Sequence, residues 1–208
     1  KMAEVTYGQL SSWDDGNASD GNDFLKLEQG SNKMRIFTNP YQFIVHWFQD
    51  SSGANRKIKC AVENCPLCKK GIKTQYRWYL GVLDRKSGTA KLLEVSSQIY
   101  IGIKNYVNNP DWGDVKMYDI DIKRGAPNTN PLYTVMPNPN KRKLNSEEQS
   151  IVDSFLERVD ISKFTQPPTP EDVVEKLGGS VPKAASKTDS GSKPHVNTDD
   201  FNFGDEEL

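Results

Sequence analysis

Cysteine and histidine are scarce in this sequence: three cysteines and two histidines occur in 208 residues. Three cysteines cannot all pair, so disulfide bonds would leave one thiol over. Long apolar runs are missing too, since no stretch reaches the roughly 18 apolar residues that a membrane-spanning helix needs. Because the chain also opens without a signal-peptide pattern, we expect reduced cysteines, a cytosolic location and no membrane partner.

Apolar residues are also few, at 35% of the chain with a mean hydropathy of −0.71, so part of the sequence is expected to lie outside any core. The charges are segregated along the chain. Residues 33–143 hold nineteen Lys and Arg against eight Asp and Glu, net +11, whereas residues 1–32 are net −4 and residues 144–208 are net −8. A basic middle therefore lies between acidic ends.

All three cysteines and one histidine fall within 23 residues, at His46, Cys60, Cys65 and Cys68. Two cysteines separated by two residues can direct both sulfurs of one tight turn at a single ion, and Zn²⁺ prefers four sulfur or imidazole ligands. The sequence thus predicts one zinc ion held by three cysteines and a histidine. A buried thiol at Cys60 and a core histidine at His46 are the alternative.

Four protein ligands close a zinc site, which favours a structural metal over a catalytic one. Zinc-dependent nucleobase deaminases would require a glutamate two residues after the histidine, and Phe48 stands there. We therefore expect that the protein is not an enzyme. Asp119 and Asp121 alternate on one predicted strand and could hold Mg²⁺, but with Lys123 and Arg124 nearby they favour ion pairs.

From residue 24 onward, short apolar and aromatic runs are broken by turn residues, which is typical of an all-β domain. Strands are predicted over residues 33–38, 41–49, 74–84, 90–95, 117–124 and 132–136. A helix over residues 99–107, capped by Ser96 or Ser97, follows the strand at 90–95 and precedes the strand at 117–124, which are taken as the third and fourth main strands of the fold. This order predicts a mainly β chain with an OB fold, a partly open five-stranded barrel, that carries a zinc-binding loop subdomain.

Four segments are expected: a polar arm over residues 1–23, the OB core over 24–143 with its zinc subdomain at 46–72, a helical segment over 144–179, and a disordered linker with an acidic tail over 180–208. Ser146 and Gln149 predict a capping box that opens the first helix of the helical segment. Thr169 and Pro170 open a second, short helix.

Positive residues alternate with aromatic residues in the basic middle, a pattern that suits single-stranded nucleic acid, because cations bind phosphates and aromatic rings stack on bases. The candidate contacts are Arg35, Phe37, Trp47, Lys73, Tyr76, Arg77, Trp78, Tyr79, Lys104, Tyr106, Lys123 and Arg124. Tyr76 and Trp78 share a strand face with Leu80 and Val82, so a core role and a binding role are equally open for those two. Arg77 and Tyr79, on the opposite face, are the favoured contacts.

The last ten residues carry five acidic residues and no basic one, with aromatic and apolar side chains between them. Such a tail is typical of a peptide that recruits partner proteins. It is also predicted to occupy the nucleic-acid-binding surface of the basic middle when nucleic acid is absent. The residues assigned to partner binding are Asp199, Asp200, Phe201, Phe203, Asp205, Glu206, Glu207 and Leu208.

The ligand spacing from His46 to Cys68, the aromatic strand from Tyr76, the helix over residues 99–107 and the acidic tail together resemble the single-stranded DNA-binding proteins of T-even bacteriophages and related viruses. The resemblance covers roughly residues 24–136 and the last ten. It implies a zinc-containing OB fold with a basic, aromatic-lined cleft, to which Arg35 would contribute an arginine and Tyr76 would lie near the stacking aromatics.

By the same resemblance, the protein would coat single-stranded DNA during replication, recombination and repair in the cytoplasm of an infected bacterial host, and its tail would recruit replication and recombination proteins. The sequence departs from the family at residues 1–23, which are acidic and hold one lysine where the family carries a small basic motif for cooperative binding. The alternative is a zinc-stabilised adaptor or transcription factor that binds proteins or duplex DNA.

Overall fold

The computed structural model describes residues 23–50 and 53–178. The predicted polar arm, apart from Asp23, and the predicted linker and acidic tail lie outside these residues. Seven strands make up the sheet: β1 (Gly30–Ile36), β2 (Tyr41–Gln49), β3 (Asn55–Lys59), β4 (Thr74–Asp84), β5 (Thr89–Ser96), β6 (Tyr118–Arg124) and β7 (Tyr133–Lys141). The helices are α1 (Pro66–Lys69), α2 (Ser97–Val107), α3 (Ser146–Arg158), α4 (Ile161–Thr165) and α5 (Pro170–Lys176), and a 3-10 turn spans Val115–Met117.

The sheet is open and antiparallel and is organised around β4, its longest strand. Its order is β3-β2-β4-β1-β6-β7, with β5 on the other side of β4. Because β5 pairs with β4 from Arg77 to Asp84, β1 and β2 share the opposite edge: β2 pairs with the first half of β4 and β1 with its end. Because both strands are antiparallel to β4, β1 and β2 run in the same direction along this edge, and Asn39 and Pro40 lie in the short non-strand segment that separates them.

The first face of β4 carries Tyr76, Trp78, Leu80 and Val82. Its last three side chains are buried in the main core with residues of β1, β5, β6, β7 and α2. Helix α2 begins after Ser96, as predicted, and packs against both β5 and β7. Within the described strands, β5 and β7 are not paired with each other, so α2 lies against both sides of this gap.

The second face of β4 carries Arg77, Tyr79, Gly81 and Leu83. Helices α3 and α4 cover much of it. Aromatic rings pack there: Phe43 of β2 stacks on Tyr79 at 4.4 Å, and Phe164 of α4 meets Tyr79 edge-on at 6.3 Å. Gly81 is required here, because a Cβ at this position would lie 2.5 Å from the Phe37 ring, closer than two atoms can approach.

Five charged side chains link the start of α3 to strands β1 and β6 and to the residues that directly follow β4 and β7. Arg35 donates to Asp119 at 2.7 Å, Arg85 bridges Asp119 and Glu148, and Arg142 donates to Glu148 at 2.6 Å. The predicted ion pair of Asp119 is thus confirmed, but with Arg35 and Arg85 as partners. The predicted capping box is one residue out of place: Asn145 caps the helix with Glu148, since α3 starts at Ser146 rather than after it.

None of the helices in the described ranges is long and apolar enough to cross a membrane.

Candidate metal centre and nucleic-acid surface

The four predicted metal ligands meet at one point. Their ligand atoms all lie within 4.8 Å of one another. Among the described residues, this is the group of His, Cys, Asp or Glu side chains that could hold a metal ion. His46 comes from β2, Cys60 directly follows β3, and Cys65 and Cys68 lie at the start of α1 and within it. We call the segment from Cys60 to Ile72, together with the β2–β3 hairpin that supports it, the metal module.

The distances between the ligand atoms fit a tetrahedral zinc ion. The Nε2 atom of His46 lies 3.5 Å from the sulfurs of both Cys65 and Cys68, and the sulfurs of Cys60 and Cys68 are 3.6 Å apart. With Zn–S bonds of about 2.3 Å and Zn–N bonds of about 2.0–2.1 Å, tetrahedral geometry places two sulfurs about 3.8 Å apart and a sulfur and a nitrogen about 3.6 Å apart. The cluster could therefore hold one metal ion, consistent with a structural zinc.

Hydrogen bonding prepares His46 for this role. Its Nδ1 lies 3.0 Å from the carbonyl oxygen of Ile72, so Nδ1–H donates to that carbonyl and the lone pair of Nε2 points toward the sulfurs. The side chain is fully buried, and burial lowers the pKa of His46, which favours the neutral ring that metals bind.

Ligation by the thiols requires loss of their protons. Burial raises the pKa of Cys60 to about 12 and also raises the pKa of Cys68. At Cys65 burial acts in the same direction, but hydrogen bonds from the backbone N–H groups of Cys68, Ala61 and Leu67 outweigh it and lower the pKa. Metal binding therefore releases protons and should weaken as the pH falls.

The loop between Cys60 and Cys65 is short and tightly turned. Val62 and Asn64 both adopt positive φ, at 61° and 53°. Positive φ is uncommon for a β-branched residue such as Val62, and the Val62 N–H donates to the Cys60 sulfur at 3.3 Å. The local backbone is thus shaped around this sulfur.

The metal module has a hydrophobic cluster of its own. Ile58, Leu67 and Ile72 are buried in it together with Val173 of α5. The last described helix therefore packs onto the metal module rather than onto the main core, which the residue pattern of α5 does not reveal.

The predicted nucleic-acid contacts divide into two groups by burial. Arg35, Trp78 and Tyr79 are buried, with 1%, 8% and 3% of their surface exposed. Arg35 is held by the ion network and Tyr79 by α4, so the prediction that these two side chains meet a bound strand is inconsistent with their positions. Phe37 packs edge-on against Phe155, 5.9 Å between ring centroids.

Two more predicted contacts are engaged elsewhere: the Tyr106 hydroxyl donates to the Val135 carbonyl, and Arg124 donates to the Leu27 carbonyl at 2.8 Å. Lys104 is half-buried on α2. The remaining contacts reach the surface: Trp47, Lys73, Tyr76 and Lys123 are exposed and Arg77 is partly so.

The strand register separates the exposed contacts. His46 is paired with Thr74 and Ile44 with Tyr76, so Tyr76 lies on the same face as the metal-binding histidine. Trp47 has the opposite orientation and shares its face with Arg77, whose guanidinium carbon lies 5.9 Å from the Trp47 ring centroid. Trp47 and Trp78 therefore do not line one cleft.

One aromatic residue of this surface is missing from the sequence prediction. The Tyr100 ring stacks on Trp78 at 4.0 Å with an interplanar angle of 4°, and the Trp78 ring lies 6.4 Å from Tyr76. Tyr100 follows Ile99, which marks the buried stripe of α2, so periodicity alone places it at the edge of that stripe. We call Tyr76, Trp78 and Tyr100 the aromatic row.

Comparison of the chain with known protein families, with curated proteins and with solved structures finds no match.

Proposed function

We propose that this protein binds single-stranded DNA across the aromatic row, on the side of the sheet that carries the metal module. The observation that carries the proposal is the exposed ring of Tyr76, which is 40% accessible and ends a row of three aromatic side chains. An exposed aromatic face accepts any base by stacking, at about 1–3 kcal/mol per base.

The strand connectivity supports an OB fold, in which the second and third strands bind oligonucleotides. If β1, β4, β5, β6 and β7 are taken as its five strands, β1 pairs with β4 and β6, β4 with β5, and β6 with β7. Helix α2 lies between the third and fourth of these strands and contacts the unpaired β5 and β7. In this assignment Tyr76 and Trp78 belong to the second strand.

The flanking groups suit a polyanion. Tyr76 lies beside Ile44 on one side, and the first turn of α2 follows the end of β5 on the other. Exposed Lys73 comes directly before β4, and Lys104 follows Tyr100 by one helical turn. These cations belong to the segment of net charge +11. They would bind phosphates while the rings stack on bases.

On this proposal the protein coats single strands exposed in DNA replication, recombination and repair. The metal is structural: when bound, Zn²⁺ joins β2, the end of β3 and α1 into one rigid support beside the aromatic row. Recruitment of replication and recombination proteins belongs to the acidic tail, residues 199–208, outside the described residues.

Binding of fluorescein-labelled oligothymidine, a mixed-sequence single strand and its matched duplex, each at low and high salt, tests the proposal. We expect tight, salt-sensitive binding to both single strands and weak binding to the duplex. Equal or stronger duplex binding would favour the adaptor or transcription-factor alternative, and no binding to any of the three would overturn the proposal.

Tyr76→Ala tests the role of the aromatic row. We expect single-strand affinity to fall roughly tenfold, since loss of one stacked base costs about 1–3 kcal/mol. Tyr41→Ala is the matched control, because Tyr41 is a similarly exposed tyrosine of β2 on the other face of the sheet. Equal losses in the two variants would contradict binding at the aromatic row.

A further inference from the structure

The face of the sheet opposite Tyr76 contains two buried polar atoms without partners. They are Nε of Arg77 and Oγ of Ser96, the two such side-chain atoms found among the described residues. A buried donor left without a partner costs about 1–3 kcal/mol, so each calls for an explanation. Both can donate a hydrogen bond, and because neighbouring groups cover both atoms in this structure, an acceptor that satisfies them must first displace a neighbouring side chain.

The two residues are neighbours in space. Arg77 of β4 and Ser96 of β5 are directly opposite each other in the antiparallel register, and such pairs place their Cβ atoms about 4.5–5.5 Å apart on one face. Ser96 is also the N-cap of α2, an eleven-residue helix, yet its hydroxyl makes no capping hydrogen bond. The first turn of that helix carries no acidic residue.

An exposed aromatic ring lies beside the Arg77 member of this pair. Trp47 is 41% exposed, and the Arg77 guanidinium carbon lies 5.9 Å from its ring centroid. The charge around the ring is positive. Lys57 and Lys59 of β3 face the same way, and Glu94, the acid on this face of β5, is paired with Lys57 at 2.6 Å.

We propose that Trp47, Arg77 and Ser96 form a second nucleotide site, in which the Trp47 ring stacks on a base while the Arg77 guanidinium and the Ser96 hydroxyl bind a phosphate. The site extends the proposed function and takes the class of ligand from it. It lies on the other face of the sheet from the aromatic row, so a nucleotide there is held independently of one at Tyr76.

The site is tested by ¹H–¹⁵N NMR of the full chain, which records the Trp47 indole and the Arg77 Nε–H separately. The probes are thymidine 5′-monophosphate, thymidine and inorganic phosphate. Thymidine monophosphate should shift both signals, phosphate alone should shift Arg77 while leaving Trp47 nearly unchanged, and thymidine should bind roughly tenfold more weakly than its phosphate, as loss of about 1.4 kcal/mol would give.

Arg77→Gln should weaken the response of the Trp47 indole to thymidine monophosphate roughly tenfold, again about 1.4 kcal/mol. Arg56→Gln removes the same charge from β3 on the opposite face and should leave the response unchanged. Ser96→Ala gives an independent check if Arg77→Gln fails to fold, with a smaller but measurable loss. Signals of Trp47 and Arg77 that stay unmoved by thymidine monophosphate would overturn the proposal.

Failure of this site can be told from failure of the proposed function. If oligothymidine binds and Tyr76→Ala weakens it while Trp47 and Arg77 do not respond to any probe, only the second site is wrong. If oligothymidine does not bind but thymidine monophosphate still moves both signals, the second site stands and single-strand coating is wrong.

Discussion

Whether a side chain of this protein has a structural or a binding role depends on its burial as much as on its chemistry. Arg35 has the charge of a phosphate-binding residue, but only 1% of its surface is exposed and its guanidinium donates to Asp119 and to the carbonyl of Arg142 at 2.9 Å. A buried arginine needs such partners, because an unpaired charge in the interior is strongly unfavourable. The network that surrounds it ends at Glu148, which both caps α3 and binds Arg85 and Arg142.

Glu148→Gln should lower the free energy of unfolding by about 2 kcal/mol near pH 7, because hydrogen bonds to charged groups contribute about 1.5–3 kcal/mol. Hydrogen bonding to Arg142, reinforced by Asn145 and Arg85, holds the pKa of Glu148 well below its usual range. The contribution is therefore present above the unfolded-state pKa of about 4.3 and lost as the pH falls further toward the folded-state pKa.

Urea unfolding of both proteins between pH 7 and pH 3 measures this difference. Glu147→Gln is the control, since Glu147 is the exposed neighbouring glutamate in the first turn of the same helix. A gap between the wild type and Glu148→Gln that stayed constant over this pH range would show that the carboxylate is not the stabilising group.

Among the elements, α5 shows how a short helix obtains its stability. Seven residues are too few for a helix to persist alone in water. A capping box formed by Thr169 and Asp172 satisfies its first turn, and Val173, which is fully buried, anchors it to the cluster beneath the metal module. The helix and the metal module should therefore stabilise each other.

Val173→Ala should destabilise the zinc-loaded protein by about 2 kcal/mol, through lost burial and the cavity that remains. We also expect weaker zinc binding, because the cluster that holds the ligand loop loses a contact. Val174→Ala, a change of equal size at the partly exposed neighbouring position, should have less than half of this effect. Chemical unfolding and competition with a zinc chelator measure the two quantities, and identical effects of the two variants would rule out this docking.

At the scale of the whole molecule, three hydrophobic clusters meet along the sheet: the main core, the α3 and α4 face, and the metal module. The cluster of the metal module has the fewest buried residues of the three, and two of them are the ligand cysteines Cys60 and Cys65. A structural metal is one of the devices that stabilise units with so small a core.

One zinc ion per chain is expected, and Cys65→Ser should lower the metal content and the melting temperature together. His195→Ala replaces the second of the two histidines and should leave both quantities unchanged. Metal analysis and differential scanning calorimetry supply the measurements. Full retention of zinc in Cys65→Ser would mean that the ligands are wrongly assigned.

The sequence alone determined the features that depend on local spacing. The bounds of β2 and β4, the start of α2 and the four metal ligands follow from residue periodicity, capping residues and the interval between Cys65 and Cys68. These patterns act over a few neighbouring residues, so they can be read without the fold. The capping box of α3 was one residue out of place because Ser146 and Asn145 are both good caps.

Only the tertiary structure decided which side chains remain at the surface. A strand shows which residues alternate, but not which face receives a helix, so the burial of Tyr79 beneath α4 and the exposure of Tyr76 were not readable from β4. The pairing of Arg77 with Ser96 likewise depends on the β4–β5 register. Burial depends on contacts between residues that are distant in sequence, and those contacts form only when the helices and strands pack together.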